Sequence, residues 1–276
     1  MSTRTWMITG ASGGFGRLMT QKLLERGDTV IGAVRRPQAL DDLIGTYGPQ
    51  RLRTVQLDLT DAGSIRAATD AAFAAGERID VVVSNAGHGT FGAAEELTDE
   101  QIERVIGVNL LGSIHLIRAA LPHLRAQGGG RVLQVASEGG SIAYPNFSAY
   151  HASKWGIEGF VESVRQEVAP FGIDFTVLEP GPSQTGFGDA LDTAPASPAY
   201  DQTPSGDLRR MLQTGEGLDW SDPGLIAEAT IAVADVTPAP VRLALGRGAY
   251  AQIHAALESR LAELQAQREI SESVTV

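Results

Sequence analysis

Apolar residues along this chain fall in short runs separated by segments of helical spacing. Thr5–Thr9, Thr29–Val34, Leu52–Leu57 and Ile79–Val83 are compact runs of strand length. Between them, Phe15–Arg26 carries Leu18, Leu23 and Leu24 on one face, a short helix is predicted over Ala39–Tyr47, and Asp61 caps a helix running to about Ala75. The second half repeats the rhythm. Thr98, with Gln101 three residues on, predicts a capped helix over Asp99–Val108. A long helix follows over Leu110–Gln127, in which Pro122 marks a bend or a break, and Gly128, Gly129 and Gly130 stop it. Strands are predicted at Arg131–Ala136, Ile173–Leu178 and Val241–Leu245, and helices at Tyr150–Val168, Pro223–Ala234 and Gln252–Gln267.

Runs such as Val81-Val82-Val83 have no polar face, which suits central strands of a parallel sheet covered on both sides by crossover helices. The pattern predicts an α/β fold over residues 1–276: a single-domain, doubly wound parallel sheet, Rossmann-like, with helices on both faces. Residues 182–222 break the rhythm. They are rich in Gly, Pro, Ser, Thr and Asp with weak periodicity, and a loop of that length is more often functional than a surface insertion.

Charge narrows the partners. The net charge is -11, so nucleic acid and anionic membrane surfaces are poor partners. No cysteine is present, which excludes disulfides, thiolate catalysis and cysteine-ligated metal. The five histidines have no metal-ligand spacing, so no metal site is expected. The N-terminal residues lack a secretory pattern, and no stretch approaches the roughly 20 apolar residues of a membrane-spanning helix. The expected location is cytoplasmic.

Candidate chemistry begins at Thr9-Gly10-Ala11-Ser12-Gly13-Gly14-Phe15-Gly16, between the first strand and first helix. Glycines there permit a tight turn and the approach of a phosphate to the backbone, at a helix end that presents free N–H groups. At the end of the second strand, where an acid would receive a ribose hydroxyl, the chain has Arg35 and Arg36. Guanidinium suits a 2′-phosphate, so the expected cofactor is NADP(H), with Arg35 the principal contact. Tyr150 and Lys154 are four residues apart in a helical segment and share a face. An unperturbed tyrosine ionises near pH 10, and a neighbouring ammonium and an oxidised nicotinamide both favour its phenolate.

These motifs, together with Asp58, Asn85-Ala86-Gly87, Asn109, Ser137, Pro180-Gly181 and Thr185, resemble the classical short-chain dehydrogenase/reductase family in order and over most of the chain. The resemblance implies an oxidoreductase that interconverts a secondary alcohol and a ketone or aldehyde, with Asn109, Ser137, Tyr150 and Lys154 catalytic. It implies cofactor contacts from Gly10, Ser12, Gly14, Phe15, Gly16, Arg35, Arg36, Asp58, Leu59, Asn85, Ala86, Gly87, Tyr150, Lys154, Pro180, Gly181 and Thr185. Asp58 would lie by the adenine, Thr185 would bind the carboxamide, and Asn109 would hold a water linking Lys154 to solvent. One departure stands out: Gly13 occupies a place where many NADP-preferring members carry a basic residue. Arg36 is the second contact expected for the phosphate; Arg17, opening the next helix, is either a further one or a solvated helix residue.

Substrate contacts are expected from Ser137, Gly139, Tyr144, Tyr150 and Phe187, with His88, Gly140 and Phe147 on the same floor. Leu191, Tyr200, Leu208, Met211 and Leu212 are the apolar residues available to a lid. That wall suggests a small-molecule carbonyl or alcohol substrate of moderate size, neutral and largely apolar. The resemblance also implies a homodimer or homotetramer assembled through the helices over Leu110–Gln127 and Tyr150–Val168. Two other readings use the same residues: a biosynthetic ketoreductase, and a non-catalytic NADP(H)-sensing protein.

Overall fold

The computed structural model describes residues 3–74, 78–215, 217 and 219–275. Its strands are β1 (Thr5–Thr9), β2 (Thr29–Val34), β3 (Leu52–Gln56), β4 (Val81–Ser84), β5 (Thr90–Phe91), β6 (Gly130–Val135), β7 (Ile173–Pro180), β8 (Asp192–Thr193) and β9 (Arg242–Leu245). The α-helices of the first half are α1 (Gly14–Arg26), α2 (Asp41–Tyr47), α3 (Ala62–Ala74), α4 (Asp99–Ile106) and α5 (Ser113–Ala126). Those of the second half are α6 (Ser148–Val168), α7 (Pro204–Thr214), α8 (Pro223–Val233), α9 (Arg247–Ala266) and α10 (Arg268–Ser273).

Among the described residues, the main sheet is parallel and ordered β3-β2-β1-β4-β6-β7-β9. The chain winds outward from β1 in one direction, then returns to place β4 on the other side. That reversal opens a crevice at the carboxyl ends of β1 and β4, where doubly wound sheets bind ligands. Met7, Val82, Val132 and Val177 face one helical layer with Ile65, Leu116 and Ile157. Trp6, Ile8, Val83 and Leu133 face the other with Leu23, Leu24 and Ile231. Burial on both faces is what the unbroken apolar strand runs encode.

Several boundaries differ from the sequence expectation for identifiable reasons. β7 continues through Glu179 to Pro180, because β9 pairs with it to the end. The helix after Thr98 does form with its reciprocal capping box. Helix α4 does not break before α5; a π-helical turn, Gly107–Gly112, joins them, and Pro122 sits inside α5 without ending it. Helix α9 begins at Arg247, one strand-length earlier than the apolar spacing suggested. The irregular 182–222 stretch contains α7 and β8, and β8 pairs in parallel with β5 as a separate two-stranded sheet. The expected end of α3 at Ala75 lies outside the described residues.

Contrary to the sequence expectation, one segment among the described residues, Asp99–Ala126, is long and apolar enough by length and a mean hydropathy of 1.5 to match a membrane-crossing helix. Leu116, Ile117, Ala120 and Leu124 on it are fully buried against the sheet, so its apolar face belongs to the protein core. The same contrast predicts stability. Leu116→Ala empties a fully buried site and is expected to cost about 2–5 kcal/mol, whereas Leu261→Ala, on the exposed side of α9, should change stability by less than about 0.5 kcal/mol. Urea unfolding of the two variants checks this, and equal losses would contradict the layer assignment.

Candidate active site

The residues singled out in the sequence converge on the carboxyl edge of the main sheet. Thr9 ends β1, and its hydroxyl accepts the backbone N–H of Asn85 (2.9 Å) and Ala86 (3.1 Å) from the loop after β4. Asn85 returns Nδ2–H to the Thr9 carbonyl at 2.8 Å. This knot closes the turn that carries Gly10, Ser12, Gly14, Phe15 and Gly16. Gly10 and Gly14 adopt φ of 66° and 48°, a region that favours glycine. A Cβ on Gly16 would run into the Gly10 carbonyl and approach Asn85 Nδ2 to 2.7 Å. Helix α1 therefore starts as close to β1 as backbone allows, with no side-chain cap over its first N–H groups. Thr185 lies opposite, 3.5 Å from where a Cβ on Gly14 would sit. The donor set and the space beside the glycines fit a dinucleotide pyrophosphate.

Arg35 and Arg36 follow β2 and are both exposed at the outer end of this edge. Asp58, just beyond β3, is held below the usual carboxylate range, chiefly by the N–H and hydroxyl of Thr60, with Arg35 adding to the effect. Leu59 beside it packs its carbonyl against Gly112. Arg17 is paired with Asp42 rather than turned to the glycines, so the guanidinium groups at the end of β2 are the better placed for a phosphate.

Tyr150 and Lys154 stand on α6 beneath the loop that follows β6. The Ser137 hydroxyl hydrogen-bonds Tyr150, and burial pushes the phenol up to about 12, against that hydrogen bond. Lys154 Nζ lies 5.6 Å from the centre of the Tyr150 ring and donates to the Val135 carbonyl at 3.2 Å. Burial brings Lys154 down to about 8, opposed by Glu158. The ammonium alone does not make Tyr150 a phenolate. In the protein by itself, desolvation wins and Tyr150 is an acid.

Asn109 occupies the π turn. Its Oδ1 accepts the His88 N–H at 2.7 Å, while Nδ2 donates to the His88 carbonyl (2.8 Å) and to Ser153 Oγ (3.1 Å). The amide thus ties the loop after β4 to α6. A Cβ on Gly87 would sit 3.5 Å from Asn109 Oδ1 and 3.8 Å from Lys154 Nζ. Gly87, Asn109 and Lys154 therefore meet at one point.

Gly139, Tyr144 and Phe187 border this centre. The Phe187 ring is 5.9 Å from that of Tyr150. Pro180 ends β7, and Gly181 continues its pairing with β9 through a 3.0 Å bond to the Leu245 carbonyl. Phe91 packs on Phe147, which packs on Tyr150, at 5.0 and 5.9 Å. Beyond Phe91, a cavity of about 390 Å³ is lined by Leu191, Thr193, Ala194, Arg209 and Leu212. Of the anticipated lid residues, Tyr200, Leu208 and Met211 do not border it.

Several further polar groups frame the site. His151 is buried and neutral: its Nδ1–H donates to the Gly139 carbonyl and its Nε2 accepts the Tyr144 N–H. It shapes the wall that holds Gly139 and Tyr144. The buried Glu138 receives the Tyr144 hydroxyl at 2.7 Å, and burial raises its pKa. Asp192 on β8 accepts from Gln101 and Arg104 of α4, at 2.8 and 2.9 Å. Glu96 holds Arg209 and the Ser197 N–H, so with Asp192 the middle of the 182–222 stretch is anchored at three points. Only Glu158, four residues past Lys154, left a signal in spacing.

A family model for short chain dehydrogenases matches residues 4–195. The chain belongs to the short-chain dehydrogenase family. This short-chain dehydrogenase is 36% identical over 270 residues to the oxidoreductase BOA17 of Botryotinia fuckeliana, covering 98% of each chain. It is 35% identical over 189 residues to a 3-ketodihydrosphingosine reductase of Bacteroides thetaiotaomicron, covering 68% of this chain and 67% of that one. A short-chain dehydrogenase from Streptomyces avermitilis superposes with a TM-score of 0.91 at 36% identity, covering 99% of both chains. An alcohol dehydrogenase from Thermococcus sibiricus, solved with 5-hydroxy-NADP, superposes with a TM-score of 0.73 at 26% identity, over 89% of this chain and 97% of that one. The protein is accordingly an oxidoreductase, and its hydrogen-bonded tyrosine is consistent with hydride-transfer chemistry.

Gly16→Ala forces the Gly10 carbonyl and Asn85 apart. It is expected to cost about 1–3 kcal/mol and to abolish dinucleotide binding. Gly13→Ala adds a methyl where nothing lies within 4 Å and should change stability by no more than about 0.5 kcal/mol. Thermal unfolding and cofactor fluorescence titration separate the two; tight binding by Gly16→Ala would contradict the cradle.

Proposed function

We propose that the protein interconverts a ketone or aldehyde and the corresponding alcohol with NADP(H), using Tyr150 as the acid–base group. The observation that carries the reading is the Ser137–Tyr150–Lys154 arrangement, with Tyr150 and Lys154 buried, on the same sheet edge as a glycine cradle. Bound NADPH supplies the hydride received by the carbonyl carbon. Ser137 and Tyr150 hold the substrate oxygen between their hydroxyls. Tyr150, kept as a phenol by burial, passes its proton to that oxygen as negative charge develops. Lys154 stabilises the phenolate left behind, and Asn109 carries the exchange of its proton toward solvent.

On the cofactor side, Gly10, Ser12, Gly14, Phe15 and Gly16 hold the pyrophosphate, and Asp58 and Leu59 flank the adenine. Asn85, Ala86, Gly87, Pro180, Gly181 and Thr185 line the nicotinamide end. Arg35 and Arg36 receive the 2′-phosphate, a reading supported by their exposure at the end of β2 and by the NADP derivative in the Thermococcus relative. The Phe91–Phe147–Tyr150 aromatic row and the adjoining cavity favour a largely apolar substrate against Gly139, Tyr144 and Phe187, with 182–222 as its cover. Exposed Leu111 and Trp155, near α5 and on α6, support assembly as a homodimer or homotetramer.

In a panel of aldehydes and ketones, Tyr150→Phe is expected to lower NADPH oxidation by at least about 10²-fold while leaving NADPH binding intact. Turnover retained by the variant contradicts the assignment. NADPH binding by the wild type with no turnover on any carbonyl supports the sensing alternative. The double change Arg35→Ala/Arg36→Ala is expected to raise the KM for NADPH by about 10–100-fold, the worth of a charge-assisted phosphate contact, with little effect on NADH. Equal KM values for the two cofactors in the wild type would remove the NADP preference.

A further inference from the structure

One side of the catalytic helix continues below Lys154 with charged residues that the reaction as described does not use. Glu158 is one turn on from Lys154 and 3% exposed. Its Oε2 is paired with Arg242 Nη1 from β9. Its Oε1 is fully buried and has no hydrogen-bond partner. That oxygen lies against Gly140, in the turn that carries Ser137, where a Cβ on residue 140 would collide with it. Arg242 also reaches Glu162 Oε1 at 3.1 Å and lies 3.6 Å from Glu179 Oε1. Glu179 in turn accepts the Ser141 hydroxyl at 2.6 Å. Burying a carboxylate with one oxygen unpaired is costly, so a nearby cation is needed to keep it charged.

We propose that Glu158 is a positioning residue: its carboxylate, kept ionised by Arg242, holds Lys154 as the ammonium that Tyr150 requires. The proposal rests on the carbonyl-reductase reading for its consequence in catalysis, but not for its electrostatics. The groups facing the pair are few. From α6 they are Tyr150 and Glu162; from β9, Arg242; from β7, Glu179; and from the turn after β6, Glu138, whose charge is felt at Tyr150. Asn109, from the π turn, is neutral. Burial and Glu179 push Glu158 up to about 7 while Arg242 and Lys154 oppose them, so the carboxylate sits at the edge of taking up a proton. Burial similarly drives Lys154 down, and the Glu158 charge opposes it.

Glu158→Gln removes the negative partner, so Lys154 loses its proton at lower pH. Arg242→Gln removes a positive charge, which by direct field alone would move Lys154 to higher pH. Without the guanidinium, however, Glu158 takes up a proton, and Lys154 moves to lower pH as well. Two substitutions of opposite charge thus act in the same direction.

The chain has only two lysines, Lys22 and Lys154, so ¹³Cε-lysine labelling gives two resonances, assigned with Lys22→Arg. The Lys154 midpoint is expected about one pH unit lower in both E158Q and R242Q, and returned toward the wild-type value in R242K. The alkaline limb of kcat for NADPH-dependent carbonyl reduction should move with it, giving about tenfold lower kcat above the limb and little change below it. Should E158Q fail to fold, R242Q and R242K carry the comparison. An unmoved Lys154 midpoint overturns the proposal, as does a shift of R242Q to higher pH or a loss of kcat uniform across pH. A shifted Lys154 in a wild type with no turnover supports the electrostatic pairing and counts against the reductase reading instead.

Discussion

The junction between β1 and β4 is the constraint on which the site depends. Thr9 and Asn85 exchange backbone and side-chain hydrogen bonds across it, and the missing Cβ of Gly16 lets α1 start against them. Parallel strands on both sides then deliver their following loops to one edge. Arg35, Asp58, Gly87, Ser137 and Gly181 arrive there from different strands because each is the residue, or nearly the residue, at which a strand ends. A substitution that opened the junction would disperse groups that never touch it.

Burial then sets protonation. Tyr150, Lys154, His151 and Glu158 all lie on α6 where it packs beneath the serine turn, and each is displaced toward its neutral form. A phenol rather than a phenolate suits proton donation, the direction of carbonyl reduction. In the proposed reverse reaction, ionising Tyr150 would need positive charge beyond Lys154, which an oxidised nicotinamide ring would supply. The low dielectric that makes Tyr150 a poor base alone also makes it responsive to a nearby cation.

The layered α/β fold was legible because unbroken apolar strands such as Val81–Val83 have no other stable home, and because capping at Thr98 is local. The glycine turn, Tyr150 and Lys154 were legible through their spacing. The placement of helix α7 was not, since the Glu96–Arg209 pair and the pairing of β8 with β5 join residues distant in the chain, although Thr203 and Pro204 mark its start locally. The sequence placed a break at Asn109, but the π geometry there rests on contacts it does not show: the asparagine is satisfied by His88 and Ser153, not by its own helix. Arg242 lies 84 residues from Glu158, and only the β7–β9 pairing brings them together.

Tyr150 is a buried phenol whose ionisation responds to the charge around it. Its most direct measurement is the phenolate absorbance of wild type minus Tyr150→Phe as pH is raised, with and without NADP⁺. In the free protein no Tyr150 phenolate is expected until near about 12, where burial has pushed the phenol, and with NADP⁺ bound it is expected at least about two pH units lower. The same midpoint in both states would contradict it.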